Sequence, residues 1–336
     1  MNRFTYDRTD DVAQAVAAHR AKGAAFLAGG TNLVDLMREG VATPARLVDI
    51  RRLPLREIDA TSDGGLRIGA LATNTAVACH ETVMQRYPLV SKSILAGASP
   101  QIRNVATIGG NLLQRTRCLY FYDVGTPCNK REPGTGCPAM EGVNRMHAIL
   151  GASNHCIAVH PSDLCVALSA LDASVHVSGE GGERVLPFAD FHRLPGDTPH
   201  IDTNLRDDEL ITAVELPPEG FASNHTYVKV RDRASYAFAL VAVAVGLALD
   251  GDVVRDVRCA LGGVAHKPWR DRAAESPLRG RPLSRESVRE FAAAVVREAC
   301  GRRHNAFKIE LTTRAIVRAF EIASRRDFGE GHEVRP

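Results

Sequence analysis

Cys118, Cys128 and Cys137 lie on one polar stretch, separated by nine and eight residues, and Cys156 follows after eighteen more. Four thiolates brought together by folding are metal ligands. The tight Cys-x-x-Cys pairs of zinc fingers and ribbons are missing. A [4Fe–4S] cluster also needs four thiolates, and it tolerates wide spacing where a loop wraps the core. Residues 115–142 suit such a wrap. They hold Pro127, Pro133, Pro138 and four glycines, show no helical or strand period, and carry Arg115, Arg117, Lys130 and Arg131 to offset thiolate charge. A structureless loop of this length inside a compact domain is functional or disordered. Spacing alone leaves an iron–sulfur cluster, a zinc ion and unliganded thiols open. Cys165 competes as fourth ligand, but it falls inside a predicted helix, where a small buried hydrophobe is the ordinary role. Cys79, Cys259 and Cys300 have no partners in sequence and read as structural.

Two glycine pairs supply a second chemistry. Phe26-Leu27-Ala28-Gly29-Gly30-Thr31-Asn32-Leu33-Val34 places a strand, a glycine turn and a helix start in nine residues. Thr107-Ile108-Gly109-Gly110-Asn111 repeats the theme. Glycines let a backbone turn tightly and approach an anion, and the amides that follow favour negative charge. Taken singly, each pair is also explained as a tight turn. The Gly-x-Gly-x-x-Gly and Gly-x-x-x-x-Gly-Lys-Ser/Thr signatures are absent, so a dinucleotide bound here uses another architecture. No Gly-x-Ser-x-Gly elbow supports a hydrolase.

Ala28-Gly29-Gly30-Thr31-Asn32-Leu33, followed by Ile102 to Leu112 and by His160-Pro161-Ser162-Asp163-Leu164, resembles the FAD subunits of the xanthine dehydrogenase (molybdenum hydroxylase) family over almost the whole chain. The resemblance implies an α+β fold: a p-cresol-methylhydroxylase (vanillyl-alcohol oxidase) type FAD-binding domain of two α/β subdomains. A C-terminal α+β domain like that of carbon monoxide dehydrogenase flavoproteins, a three-stranded sheet with helices, would follow. It also implies that Phe26, Leu27, Ala28, Gly29, Gly30, Thr31, Asn32, Leu33 and Val34 wrap the FAD pyrophosphate. Thr107, Gly109, Gly110 and Asn111 match the second flavin segment, Asp163 an acid near the ribose or ribityl hydroxyls, and Lys229 a basic residue near the flavin. From the residues alone, Asp163 reads as part of a helix start beside Ser162 and Lys229 as a solvated strand charge. The segment Arg115 to Cys137 is similar to an insertion in the subset like periplasmic aldehyde oxidoreductase. By that resemblance Cys118, Cys128, Cys137 and Cys156 ligate a [4Fe–4S] cluster. The implied function is an FAD electron-transfer subunit of a molybdenum-dependent aldehyde oxidoreductase, a heterotrimer. It takes electrons from a [2Fe–2S] subunit, served by a molybdenum-cofactor subunit, and passes them to an external electron acceptor. No catalytic residue is expected on this chain. The rivals are a self-contained FAD-dependent reductase on the same fold and a zinc-stabilised nucleotide-binding module.

The elements that would hold these residues follow from pattern. Thr9 or Asp10 is expected to cap a first helix through Ala17, with strands at Ala24–Ala28 and Leu47–Ile50. Asp63-Gly64-Gly65 marks a hairpin into a strand from Leu66. Asn74 is expected to cap a helix, Leu89–Ala98 to form another, and Ser162 to cap Asp163–Leu171. Strands are expected near Ala148 and from Cys156 to Val159. Pro217-Pro218-Glu219-Gly220 is a boundary. Beyond it come strands at Tyr227–Val230, Phe238–Leu249 and Val254–Gly262, then helices capped by Ser284 and Asn305. The units are 1–55 and 56–217 for the FAD-binding subdomains, with the cluster loop at 115–142, and 222–327 for the C-terminal domain.

The 336 residues suit two or three domains. A balance of 42 basic and 39 acidic residues gives no concentrated basic face, so nucleic acid is not an expected partner. No run reaches the ~20 apolar residues of a membrane span, so no membrane insertion is expected. The N-terminus shows no export signal; the resemblance to periplasmic enzymes implies the periplasm by co-export with a partner, and the alternative is the cytoplasm.

Overall fold

The computed structural model describes residues 2–326 and 328, so the expected ends at Met1 and Asp327 lie outside the described residues. Three sheets organise the chain. The first is parallel, with β1 (Thr5–Arg8), β2 (Ala24–Leu27) and β3 (Arg46–Asp49) in the order β1-β3-β2. Parallel neighbours need crossovers, and the helices Val12–His19 and Leu33–Arg38 supply them.

The second sheet is antiparallel. It comprises β4 (Ile58–Ala60), β5 (Leu66–Gly69), β6 (Ser174–Gly179), β7 (Gly182–Pro187) and β8 (Leu210–Leu216), in the order β4-β5-β8-β6-β7. Its buried face packs on the helices Pro88–Ala96 and Asp163–Ala170, around Leu66, Ile68, Val175, Val177 and Val214. The third sheet, β9 (Asn224–Val230), β10 (Val241–Asp250) and β11 (Val253–Gly262), runs β11-β10-β9 and is covered by the helices Arg285–Val295 and Phe307–Ser324. One face of the alternating β10 side chains, Val241, Val243, Val245 and Leu247, lies in that core. From the other face Ala244 joins the core of the second sheet, so the C-terminal unit docks through its sheet.

Several local expectations shift. Asp11, not Thr9 or Asp10, caps the first helix by accepting from the Gln14 amide, while Thr9 is tied up by the Asp11 amide. Thr73 caps the helix assigned to Asn74, which becomes its first residue and is buried. Asn305 does not cap: its Oδ1 accepts from the Arg302 amide and its amide donates to the carbonyls of His147 and Ala148. Ser162 and Ser284 cap as expected. The stretches at Ala148 and Cys156–Val159 are not strands; one backbone bond joins them, from the Ala148 amide to the Ile157 carbonyl at 2.8 Å. Cys156 and Ile157 spend their backbone on turns and on thiol contacts instead of a ladder.

Candidate functional site

The two glycine turns meet. Ile108 donates its amide to Ala72 O, Gly109 to Ala70 O, and Asn74 to Ala106 O, which locks the second turn onto the end of β5. Gly29 sits so close to the second segment that a Cβ there would lie 2.2 Å from Val105 O, and Gly30 has φ +72°. Packing and backbone conformation thus both demand glycine in the first pair. Replacing Gly29 by Ala should force the turns apart at a cost of about 1–3 kcal/mol of overpacking. Thermal unfolding and retained flavin should both fall; an unchanged melting temperature with full flavin content would show that the contact is dispensable.

Beside these turns opens a cavity of about 680 Å³, within the range of small-molecule sites. Of the expected residues, Thr31, Asn32, Gly110, Asn111, Asp163 and Lys229 line it. Phe26, Leu27, Ala28, Gly29, Gly30, Leu33, Val34, Thr107 and Gly109 do not; they build the strand, turns and helix start behind it. Phe26 stacks on His19 at 4.0 Å, and Thr107 is buried, accepting from the Gly110 amide. Asn32 Nδ2 is buried without a partner while its Oδ1 accepts from the Arg115 amide, so a donor stands ready at the cavity wall. Asn74 Oδ1 is likewise unpartnered at the cavity. Both are side-chain groups that a polar ligand would satisfy.

Asp163 and Lys229, 66 residues apart, meet at 2.8 Å with side chains 10% and 5% exposed. Tyr227 donates its hydroxyl to the other Asp163 oxygen at 2.7 Å, and Lys229 also donates to Ala96 O. Burial pushes the Asp163 carboxyl up, and Lys229 and then Tyr227 oppose it. Asp163 is therefore an ion-pair member, and the cap is Ser162. Asp232, Arg233 and Tyr236 of the turn between β9 and β10 also line the cavity, as do Tyr227, Arg103 and Phe238. Tyr227 carried no motif; its neighbour two places along, Lys229, shares its strand face and was the available signal.

The four expected cysteines come together. Cys118, Cys128, Cys137 and Cys156 line one small interior cavity with Phe121, Pro127 and Ala139. Backbone amides of Tyr120 and Phe121 point at the Cys118 sulfur, those of Ile157, Ala139 and Met140 at Cys137, and that of Ala158 at Cys156. Such donors stabilise thiolates. Burial nevertheless pushes Cys118 up to about 12 and Cys156 to about 11, with neighbouring thiols adding to it. Without a metal these are neutral thiols at pH 7, and metal binding would release their protons. Among the described residues, one group of His, Cys, Asp or Glu has ligand atoms all within 4.8 Å, namely His160, Cys165 and His192. No three of the four cage sulfurs therefore lie within 4.8 Å of one another, whereas a tetrahedral zinc site with a Zn–S length of about 2.3 Å holds all four ~3.8 Å apart. In the other group both histidine Nε2 atoms meet Leu112 O, burial holds both imidazoles neutral, and Cys165 lies inside its helix.

The loop is anchored by its cations. Lys130 is buried and bonds Asp202, His266 Nε2 at 2.7 Å and Pro199 O at 2.9 Å. Arg115 joins Asp202 at 2.5 Å, and Arg131 holds the carbonyls of Tyr120, Phe121 and Thr126. Between loop and C-terminal helix, buried Lys308 donates to His147 O and Gly263 O. Burial, with Arg145 adding to it, lowers Lys308 from 10.5 to about 7. Above pH 7 the unfolded chain then binds more protons at this site than the folded one, so the stability contribution rises with pH until the unfolded value is passed. Between pH 7 and 8.5 the wild type should gain on Lys308→Met by up to ~1.4 kcal/mol per pH unit in urea melts; a pH-independent difference would contradict the shift.

Residues 2–219 match the family described as the FAD binding domain in molybdopterin dehydrogenase, and residues 226–323 match the CO dehydrogenase flavoprotein C-terminal domain. The aldehyde oxidoreductase FAD-binding subunit PaoB of Escherichia coli K12 is 55% identical over 280 residues, 83% of this chain and 86% of that one. The glyceraldehyde dehydrogenase medium chain of Sulfolobus acidocaldarius is 28% identical, with 80% and 78% covered. A carbon monoxide dehydrogenase structure from Hydrogenophaga pseudoflava superposes with a TM-score of 0.76 at 25% identity, over 97% of this chain and 98% of that one.

Proposed function

The chain belongs to the FAD-binding flavoprotein subunits of the molybdopterin dehydrogenases, and from that premise we propose that it relays electrons through FAD and a [4Fe–4S] cluster in an aldehyde-oxidising complex. The partners are a [2Fe–2S] subunit, which delivers electrons, and a molybdenum-cofactor subunit, which converts aldehyde to acid; an external acceptor removes the electrons. The aldehyde reading rests on the 55% identity to a subunit of that name.

The observation that carries the relay is the cavity that joins both glycine turns to the buried Asp163–Lys229–Tyr227 group. Bound FAD supplies the redox chemistry, and the protein supplies position and charge. Thr31, Asn32, Gly110 and Asn111 would present hydroxyl, amide and backbone donors to it. Lys229 keeps a buried positive charge at the wall, and Tyr236 and Phe238 offer aromatic surface. The cluster reading is supported by four sulfurs on one cavity, the amide donors aimed at three of them, and separations wider than a single zinc ion sets. Cys118, Cys128, Cys137 and Cys156 would hold it. The unit limits 1–55, 56–217 and 222–327 are adopted with this reading because each encloses one sheet.

Stopped-flow mixing of an aldehyde with the assembled complex should bleach the flavin absorption, while the chain alone should stay oxidised. Bleaching of the isolated chain by NADPH, with turnover, would favour the self-contained reductase instead. Among the described residues no helix is long and apolar enough to cross a membrane.

A further inference from the structure

Thr116, Cys118 and His147 line both the large cavity and the cysteine cage. The wall between the two compartments is therefore one residue thick at Cys118, whose sulfur belongs to the cage while its residue borders the larger cavity. His147 stands against that sulfur, with Nε2 3.1 Å from Cys118 Sγ. Its ring is buried. A metal-bound thiolate carries no proton, so the hydrogen between the two atoms sits on Nε2 and the imidazole donates. Nδ1 then carries the lone pair, in keeping with its having no partner.

The backbone that carries the ring is held at both ends. The His147 carbonyl accepts from Lys308 Nζ at 2.9 Å and from Asn305 Nδ2 at 3.2 Å, and its amide donates to Asn144 O. Two of these partners come from the C-terminal unit, so the docking of that unit fixes the backbone from which the imidazole reaches the sulfur. The other recorded donors to the cage sulfurs are backbone amides. Among the described residues His147 is the side chain that donates to a cage sulfur.

We propose that His147 is a positioning residue that sets the reduction potential of the cluster through its hydrogen bond to Cys118, at the wall the cluster shares with the flavin cavity. This inference rests on the cluster reading above. A donor to a ligand sulfur stabilises the extra negative charge of the reduced cluster more than the oxidised one, so it raises the potential. Because Cys118 borders the flavin cavity, that potential governs how readily an electron divides between the two groups. The cluster then acts as an electron partner of the flavin as well as a support for the loop.

The test is a potentiometric titration of the assembled complex, followed by EPR for the cluster and absorption for the flavin, in wild type, His147→Leu and His147→Gln. His147→Leu should keep its iron and its flavin midpoint, while the cluster midpoint falls. A tenfold rise in the oxidised-to-reduced ratio at fixed potential is the size expected, about 59 mV for a one-electron couple. His147→Gln, which returns an N–H to the same place, should lie near wild type. An unmoved cluster midpoint in an iron-replete His147→Leu, or equal shifts in both variants, overturns the proposal. Should the leucine variant lose iron, the wild type decides: with ¹⁵N-labelled histidine, the reduced cluster must show a nitrogen coupling in pulsed EPR, and its absence overturns the proposal. Wild-type complex without iron would instead remove the cluster reading itself.

Discussion

A complex carrying Cys118→Ser and Cys128→Ser should retain its flavin absorption and lose its cluster iron, whereas the wild type, purified without oxygen, should contain about four iron and four sulfide per chain. The two substitutions remove ligands from opposite ends of the first half of the loop, and a hydroxyl is a poor substitute for a thiolate on iron. Flavin should survive because, of the four cysteines, only Cys118 reaches the flavin cavity, and only as part of its wall. Around the vacated cage the polar anchors of Arg115, Lys130 and Arg131 remain, but apolar packing is slight. The loop's apolar core is small, with Leu36, Phe121 and Cys128 at its centre, and its helices are single turns, Leu119–Tyr122 and Pro138–Met140. Limited proteolysis between residues 115 and 142 should therefore accelerate in the variant. Zinc in place of iron in the wild type would refute the cluster and leave the fold intact. Simultaneous loss of flavin and iron would mean that the cage supports the whole cavity rather than its own loop.

Lys229→Met should be the most damaging single change at the flavin cavity. It leaves Asp163 buried beside Tyr227 without its ion-pair partner, with only the more distant Arg231 acting on it, and breaking a buried pair costs about 3–5 kcal/mol. With Lys229 gone, the Asp163 carboxyl rises further above its unfolded value. The folded form then holds a proton that the unfolded form has lost, so the variant should regain stability as pH falls through the folded pKa towards the unfolded one. The double variant Asp163→Asn, Lys229→Met should recover most of the loss, because no unpaired charge remains and the Tyr227 hydroxyl keeps an acceptor. Urea melts of the four proteins measure both effects. If Lys229→Met matches wild type, or if the double variant is no better than the single, the pair does not carry the charge balance described. Flavin content measured in parallel should be lowest in Lys229→Met.

Much of this molecule is legible in its residues because the signals are local. β10 shows a run of Ala and Val, Ser284 and Ser162 stand where helices begin, and Gly29-Gly30 follows a short apolar strand, so pattern alone places them. The glycine turns and the four cysteines were also identifiable as chemistry-bearing, although spacing by itself left iron–sulfur, zinc and free thiols undecided. The segments at Ala148 and Cys156 misled for a physical reason: short apolar runs look like strands, but here the amides of Ala148, Ile149 and Leu150 go to the Ile157 and Val264 carbonyls and those of Ile157 and Ala158 to sulfur atoms, so no ladder forms. β6, β7 and β8 went unread since a half-buried strand such as Ser174–Gly179, alternating buried and less buried residues, needs its neighbours to be recognised as part of a sheet.

What the sequence by itself determined, then, is a share of the elements, the two glycine turns and the loop that carries three of the cysteines, all of them properties of neighbouring residues. Tertiary structure decided the rest. It set Gly29 against Val105, paired Asp163 with Lys229 across 66 positions, brought Cys156 back to the other three thiols, and aimed His147 at Cys118. Contacts between distant segments depend on how whole sheets and helices pack, and a buried charge or thiol acquires its character from neighbours that the chain order does not name.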